Sequence, residues 1–322
     1  MAWPRLFEIM LDNTLSNTKQ TNGERRLKVV ALLLGDPQAM ELWTLKNLAA
    51  APCELHVVRA LKASGLSTTE RLKRLARQHG VVGLVSRMLG SKFIAPRQER
   101  KELRQLDLLF DGEELRGWRL ASGIKPIDVT HLNHADARSA IANLQPDIIV
   151  RVSGGVLGRG TFSLARVATL NIHHGVAPRI RGMCSIQWGI IEGRSDWIGA
   201  TVHKIDEGID TGLVLWRGEP QLAPGDTGTT LLFRAHLEAV EQLVRVIREY
   251  AAGKIPEGWP CEDRGQSDYR SAVGVGGWLR YLYLGAGKRA PVIFERAWRT
   301  KDENTELNWN RLDGDRVQVR SS

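Results

Sequence analysis

The chain has 322 residues, 43% of them hydrophobic, and a formal net charge of +9. That length and apolar share suffice for a large buried core and exclude a fibrous or disordered polypeptide; no run approaches the roughly eighteen apolar residues of a membrane span, nor is there a secretory signal pattern, so a cytoplasmic protein is expected. The positive charge attracts anions, whether nucleic acid, a nucleotide-linked substrate or a polyglutamate tail, and three scattered cysteines (Cys53, Cys184, Cys261) lack metal or redox spacing and read as packed thiols.

Residues 1–26 are largely polar without usable periodicity and read as an N-terminal extension. Leu27 to Leu34 is a continuous apolar run closed by Gly35, as expected of a strand buried on both faces of a parallel sheet. Asp36-Pro37 is a helix start, with the carboxylate as cap, and Glu54 to Val58 predicts a second strand. Ser67 and Glu70 form a capping-box pattern for a helix running to His79 and stopped by Gly80. Basic residues are densest from Arg71 to Arg104, on a solvated helix face or an anion-binding patch.

Further on, Lys125 to Val129 predicts a strand, Asp136 to Asn143 a helix and Ile148 to Val152 another strand, ending at Ser153-Gly154-Gly155. This alternation implies an α/β protein: an open, mostly parallel Rossmann-like sheet with helices on both faces and a ligand crevice beyond the carboxyl ends of its strands. Thr201 to Ile205 and Leu213 to Trp216 flank an acidic turn, Asp206 to Asp210. Asp226-Thr227 opens a long amphipathic helix stopped by Gly253 and Pro256, and Trp278, Leu279, Tyr281, Leu282 and Leu284 in the tail need a packing partner. The expected organisation is an extension over 1–26, a catalytic domain over 27–260 and a C-terminal extension over 261–322.

A dinucleotide-binding turn fails on its glycines, because Gly35-Asp36-Pro37-Gln38-Ala39 lacks the second and third and sets an acid where pyrophosphate would sit. Thr169 to Gly212 is more informative. Polar groups there follow directly on apolar, strand-like stretches, and Asn171 and His173, two apart, share one face of an extended chain, which suits an amide donor and an imidazole working on one carbonyl.

The segment resembles the folate-dependent formyltransferase superfamily, the catalytic domain shared by methionyl-tRNA and glycinamide ribonucleotide formyltransferases. The shared elements are Asn171-Ile172-His173, Pro178, Arg181-Gly182, Trp188, Thr201 to His203 and Asp210-Thr211-Gly212. The resemblance implies a folate-dependent one-carbon transferase in which Asn171 donates to the formyl oxygen, His173 moves protons, and Asp210 orients His173 and raises its affinity for a proton. It implies a co-substrate, 10-formyltetrahydrofolate, lying against Gly155, Val156 and Leu157 and the backbone of Asp206, Glu207, Gly208 and Ile209. On the acceptor side it implies His174, Arg179, Arg181 and Gly182. No metal is implied.

Ala177-Pro178 and Met183-Cys184-Ser185 depart from the commoner family pattern around the acceptor. Enzymes of the methionyl-tRNA class carry a further C-terminal barrel domain, which the residues after Pro260 do not resemble, so tRNA is disfavoured as partner. A biosynthetic acceptor is expected instead: the amine of a small molecule, either an amino sugar on a nucleotide or an amine derived from an amino acid or peptide. Alternatives are a methionyl-tRNA formyltransferase-like enzyme, a formyltetrahydrofolate hydrolase, and a catalytically silent folate- or RNA-binding protein.

Overall fold

Strand β1 (Leu27–Leu34) is sealed from solvent from Val29 to Leu33. A strand apolar at both parities must be covered on both faces. It lies parallel to β2 (Cys53–Ala60) on one side and to β4 (Ile148–Arg151) on the other. β3 (Ile127–Val129) adds outside β2 and β5 (Ala168–His173) outside β4, again parallel. The chain therefore reverses its direction of sheet growth between β1 and β4, the kind of switch point at which α/β folds open a crevice.

The sheet continues past β5 with two antiparallel strands, β7 (Ala200–Lys204) and β8 (Val214–Gly218), in the order β3-β2-β1-β4-β5-β7-β8. The Rossmann-like, mostly parallel sheet expected from the sequence is present; its antiparallel edge is an addition. A separate pair joins β6 (Ile180–Gly182) to β9 (Asp268–Arg270). The computed structural model describes residues 26–63, 68–223, 225–261 and 268–284. The 1–26 extension thus falls almost wholly outside the described residues, as does Ser67, the expected helix cap.

Alternate residues of β1 feed two cores. Leu27, Val29, Ala31 and Leu33 pack with Leu45 and Leu48 of α1 (Ala39–Ala49) and with Ala235, Ala239 and Leu243 of α8 (Gly228–Ala251). Val30 and Leu32 face the opposite side, against Ala137 and Ile141 of α5 (Ala135–Leu144). The first helix starts two positions later than its sequence suggests: Gln38 and Glu41 form the capping box, whereas Asp36 is drawn to Arg59. Gly80, at φ 66° and ψ 176°, interrupts α2 (Thr68–Leu89), as its sequence predicts, but a second helical stretch follows directly.

After a π-helical turn at Gly90–Ile94 come α3 (Ala95–Leu109) and α4 (Gly112–Ala121). Arg97, Arg100, Lys101 and Arg104 lie exposed along α3, with Gln98, Glu102 and Leu106 buried beneath. Two short helices, α6 (Arg159–Phe162) and α7 (Ser185–Glu192), flank β5 and β6 in the chain. Among the described residues, no helix is long and apolar enough to cross a membrane.

Part of the C-terminal segment is built into this fold. α9 (Val275–Tyr283) buries Trp278 and Tyr281 against Ile186, Ile190 and Ile191 of α7 and Leu231 of α8, and Tyr281 donates its hydroxyl proton to Glu102 at 3.0 Å. Arg270 on β9 sits over the rings of both Trp188 and Trp197, 5.2 and 5.3 Å from their centroids.

A buried histidine pair joins β5 to the α1–α8 layer. His174 Nε2 and His236 Nδ1 are 3.0 Å apart, and His236 Nε2 reaches the Met40 carbonyl at 3.1 Å. A carbonyl only accepts, so the His236 proton belongs on Nε2 and the His174 proton on its own Nε2, both rings neutral. Burial lowers the proton affinity of both, His236 to about 4 from 6.5. An unfolded chain binds a proton below 6.5 that the folded His236 refuses, so its stabilisation is complete above 6.5 and drains as pH falls toward 4.

Two outcomes are expected from denaturant titration. Trp278→Ala lowers stability by about 3–5 kcal/mol, the usual cost of emptying an aromatic core site; a loss below about 1 kcal/mol would mean that α9 is not integral to the core. Glu41 and Glu102, whose carboxyls burial pushes up, act oppositely over the acid range, so the His236 effect is read as a difference. The stability gap between wild type and His236→Asn should narrow by roughly 2 kcal/mol between about pH 7 and about pH 5; a constant gap would disprove the linkage.

Candidate active site

Strand register assembles the site. In parallel pairing Arg151 of β4 stands opposite Asn171 of β5, and in antiparallel pairing Asn171 stands opposite His203 of β7. Three neighbouring strands thus set Arg151, Asn171 and His203 in a row across one sheet face. It is the face away from α8, since Val150, Leu170 and Val202, one residue earlier on each strand, belong to the α8-side core. His173, two residues beyond Asn171, shares that face.

Asp210 completes the group from the β7–β8 loop, where it holds a left-handed backbone with φ 52°. Its Oδ2 lies 3.4 Å from His173 Nδ1, and its Oδ1 lies 3.5 Å from His203 Nε2. The same carboxylate accepts the Gly182 N–H at 3.0 Å. Asn171 Nδ2 is 2.9 Å from His203 Nε2, and Asn171 Oδ1 accepts from Arg151 Nε at 2.8 Å. His173 Nε2 faces the Ile180 carbonyl at 3.1 Å, with the Ser185 hydroxyl at 3.4 Å.

Electrostatics follow from burial and from these neighbours. Burial alone would push the Asp210 carboxyl up, but the neighbouring His173 and His203 rings, with the Gly182 N–H, outweigh it and hold the group below the ordinary carboxylate range. His173 feels the expected pull from Asp210 together with a larger opposing one from burial. Asp210 does raise its proton affinity, yet desolvation is larger and the net direction is down, so the imidazole is neutral near pH 7.

Small residues make room for this packing. A side chain on Gly175 would drive into His173 Nε2 and Ser185. Gly182 has φ 98°, and a Cβ there would strike the Arg270 carbonyl of β9, so the Arg181-Gly182 element is fixed by backbone geometry on both counts. Thr201, opposite His173, braces the loop after β5 by donating to the Gly175 carbonyl at 2.7 Å and accepting the Ala177 N–H at 3.0 Å.

Two loops border the row. Beyond β4, Gly154 and Gly155 offer their carbonyls to Arg151 Nη1 at 3.1 and 3.0 Å, and Asn133 Nδ2 donates to the Val156 carbonyl at 2.8 Å. Val156 is exposed, while the Leu157 side chain is buried in the α5-side core, leaving only backbone from that residue for a ligand. In the other loop Asp206 accepts from Gly208 N at 3.0 Å and Thr211 Oγ1 at 2.7 Å, with Ile209 half-buried. Glu207 reaches Arg159 at 2.9 Å.

The remaining sequence candidates divide. Arg181 and Gly182 stand on β6, with Gly182 joined to Asp210. His174 is apart from the row: strand alternation turns it to the α8 side, where His236 engages it. Arg179 is buried, donating to the Asp196 carbonyl and to Glu219, so its charge is already matched. Arg151 was not legible as a site residue. Its only sequence signal is a cation closing an otherwise apolar strand, and His203 needed the antiparallel register before its place beside Asn171 could be seen.

Residues 120–247 match the formyl transferase family. A methionyl-tRNA formyltransferase of Anaeromyxobacter dehalogenans (strain 2CP-1) is 33% identical over 141 residues, 44% of this chain and 45% of that protein; the chain spans a little under half the length of such relatives. Among solved structures, a 4-N formyltransferase from Francisella tularensis aligns with a TM-score of 0.45 at 16% identity, covering 76% of both chains. Glycinamide ribonucleotide transformylase 1 from Symbiobacterium toebii aligns at 0.46 and 15% identity, covering 75% of this chain and 100% of that one. The matched segment contains Arg151, Asn171, His173, His203 and Asp210 together, and over that segment the chain is similar to the formyl transferase family.

Proposed function

We propose that the protein transfers a formyl group from 10-formyltetrahydrofolate to the amine of a small molecule, an amino sugar on a nucleotide or an amine derived from an amino acid or peptide. One observation carries the reading: an amide donor, a neutral imidazole and a buried carboxylate converge in the segment that matches the formyl transferase family. The folate ring would lie along Gly155 to Leu157 and Asp206 to Ile209. Arg181 and Gly182 border the acceptor, whereas His174 and Arg179 serve packing.

The amine attacks the formyl carbon, and the formyl oxygen gathers negative charge as the tetrahedral centre forms. Asn171 gives one amide N–H to His203, which leaves the other for that oxygen; a fixed donor aimed at developing charge is the largest single contribution in many acyl transfers. The attacking nitrogen then loses a proton, and the folate nitrogen gains one as its bond to the formyl carbon breaks. His173 carries that proton in this reading, accepting it because desolvation keeps the ring neutral. Asp210 is the counter-ion for the imidazolium so formed.

A second reading, transfer to an aminoacylated tRNA, is favoured by the 33% identity to a methionyl-tRNA formyltransferase and by the exposed basic face of α3. The two are separated by offering purified protein 10-formyltetrahydrofolate with nucleotide amino sugars, amino acids, peptides, and charged and uncharged tRNA, following folate release and product mass. Formylation of a small amine supports the first reading and formylation of charged tRNA the second. Formate release without any amine would replace both with a hydrolase, and folate binding without turnover would leave a silent binding protein.

Asn171→Ala should lower kcat by about 10²- to 10³-fold, and His173→Ala by about 10²- to 10⁴-fold. The acid limb of kcat/KM should fall below 6.5, because the His173 proton affinity is depressed. Asp210→Asn removes the charge that raises it, so that limb should move to lower pH while kcat drops about 100-fold. A limb that moves up in this variant would contradict the assignment of proton carrier.

A further inference from the structure

The inference concerns how Asn171 is held, and it rests on the formyl-transfer reading above. An asparagine amide has two ends of nearly equal shape and opposite hydrogen-bonding character, and only the NH2 end can stabilise an oxyanion. Nothing in the Asn171 side chain itself decides which end faces the cleft. Its two neighbours in the strand register decide it.

Arg151 Nε lies 2.8 Å from Asn171 Oδ1, and a guanidinium can only donate. That fixes Oδ1 toward β4 and Nδ2 toward β7, where it meets His203 Nε2 at 2.9 Å. Both hydrogens of Nδ2 are donors, so His203 Nε2 must present a lone pair. His203 Nδ1 stands 2.8 Å from the Lys204 carbonyl, which only accepts, so the proton sits there. The chain Arg151–Asn171–His203–Lys204 is consistent with one assignment only, a neutral His203.

Without the guanidinium a second arrangement competes. Asp210 Oδ1, 3.5 Å from His203 Nε2, stands ready to accept from a proton on that nitrogen. A ring so protonated would donate to Asn171 Oδ1, the amide would turn over, and its carbonyl oxygen would face the developing oxyanion. We propose that Arg151 is a positioning residue for formyl transfer, a latch that holds the Asn171 amide with its NH2 toward the reacting carbonyl and thereby keeps His203 Nε2 unprotonated. Through Nη1 it also clips the carbonyls of Gly154 and Gly155, which gives it a separable influence on the bordering loop.

The test combines kinetics with ¹⁵N NMR of histidine-labelled full-length protein. In wild type the His203 ring nitrogens should show a neutral ring protonated at Nδ1. In Arg151→Met the same resonances should move away from that pattern, toward a ring with a proton at Nε2. kcat should fall about tenfold or more, and this loss should vanish, within about twofold, when the substitution is made in the Asn171→Ala background. Any change in KM for the folate, owed to the loop, should persist in both backgrounds.

Arg151→Lys, which keeps the charge but not the planar fork, is read the same way should the Met variant fail to fold. Unchanged His203 resonances in a folded Arg151 variant, or a kcat loss equal in both backgrounds, would overturn the latch. Absence of formyl transfer by the wild type would instead retire the functional reading, leaving the NMR result to judge the Arg151–Asn171–His203 linkage alone.

Discussion

The site depends on how β5 is paired. On one edge it is parallel to β4 and on the other antiparallel to β7, so its polar residues meet partners from two directions. Register in a sheet whose other face is buried is tightly specified, because a one-residue slip would turn Leu170 and Val202 out of the α8-side core and bring Asn171 and His203 into it. The same hydrophobic pattern that stabilises the sheet therefore sets the row of polar groups. Burial of Asn171, His173 and His203 is tolerated because each has hydrogen-bonding partners.

Much of this was legible in the sequence and part was not, for identifiable reasons. β1 announces itself as LKVVALLL, and α8 by its long apolar face, so sheet and helices could be read from periodicity. Asn171, His173 and Asp210 could be picked out by motif, and they do converge. What periodicity cannot supply is which residue stands across from which. Arg151 lies 20 residues from Asn171, and His203 lies 32 away; neither spacing has meaning until the strand order is known. The net His173 shift was out of reach for a related reason, since charge proximity to Asp210 can be read from a motif whereas the depth of burial that outweighs it depends on the whole fold.

Chemistry and stability pull on the same residues from opposite sides of β5. Asn171 and His173 lie on the sheet face away from α8, and the next residue, His174, turns the other way to His236. The inward pair is held neutral by burial, and neutral rings are compatible with the apolar layer between α1 and α8. A substitution at His174 would accordingly act on packing first and on catalysis through displacement of the adjoining His173. This separates two histidines that a motif presents as one unit.

Strand β6 is tied to the Asp210 carboxylate in a similar way. Gly182 gives its N–H to Asp210 while its α-carbon presses on the Arg270 backbone of β9. Arg270 in turn is sandwiched between Trp188, which precedes β7 on α7, and Trp197 of the turn that leads into it. Stacking of this kind fixes a guanidinium in a way that a mobile surface charge is not. Positions 268–270 therefore act as a buttress behind Gly182, and because the Gly182 N–H is one of the groups that lower the Asp210 proton affinity, the C-terminal strand reaches the electrostatics of the site without touching it. A segment that reads in sequence as an extension of the domain is, at β9, a support for its carboxylate.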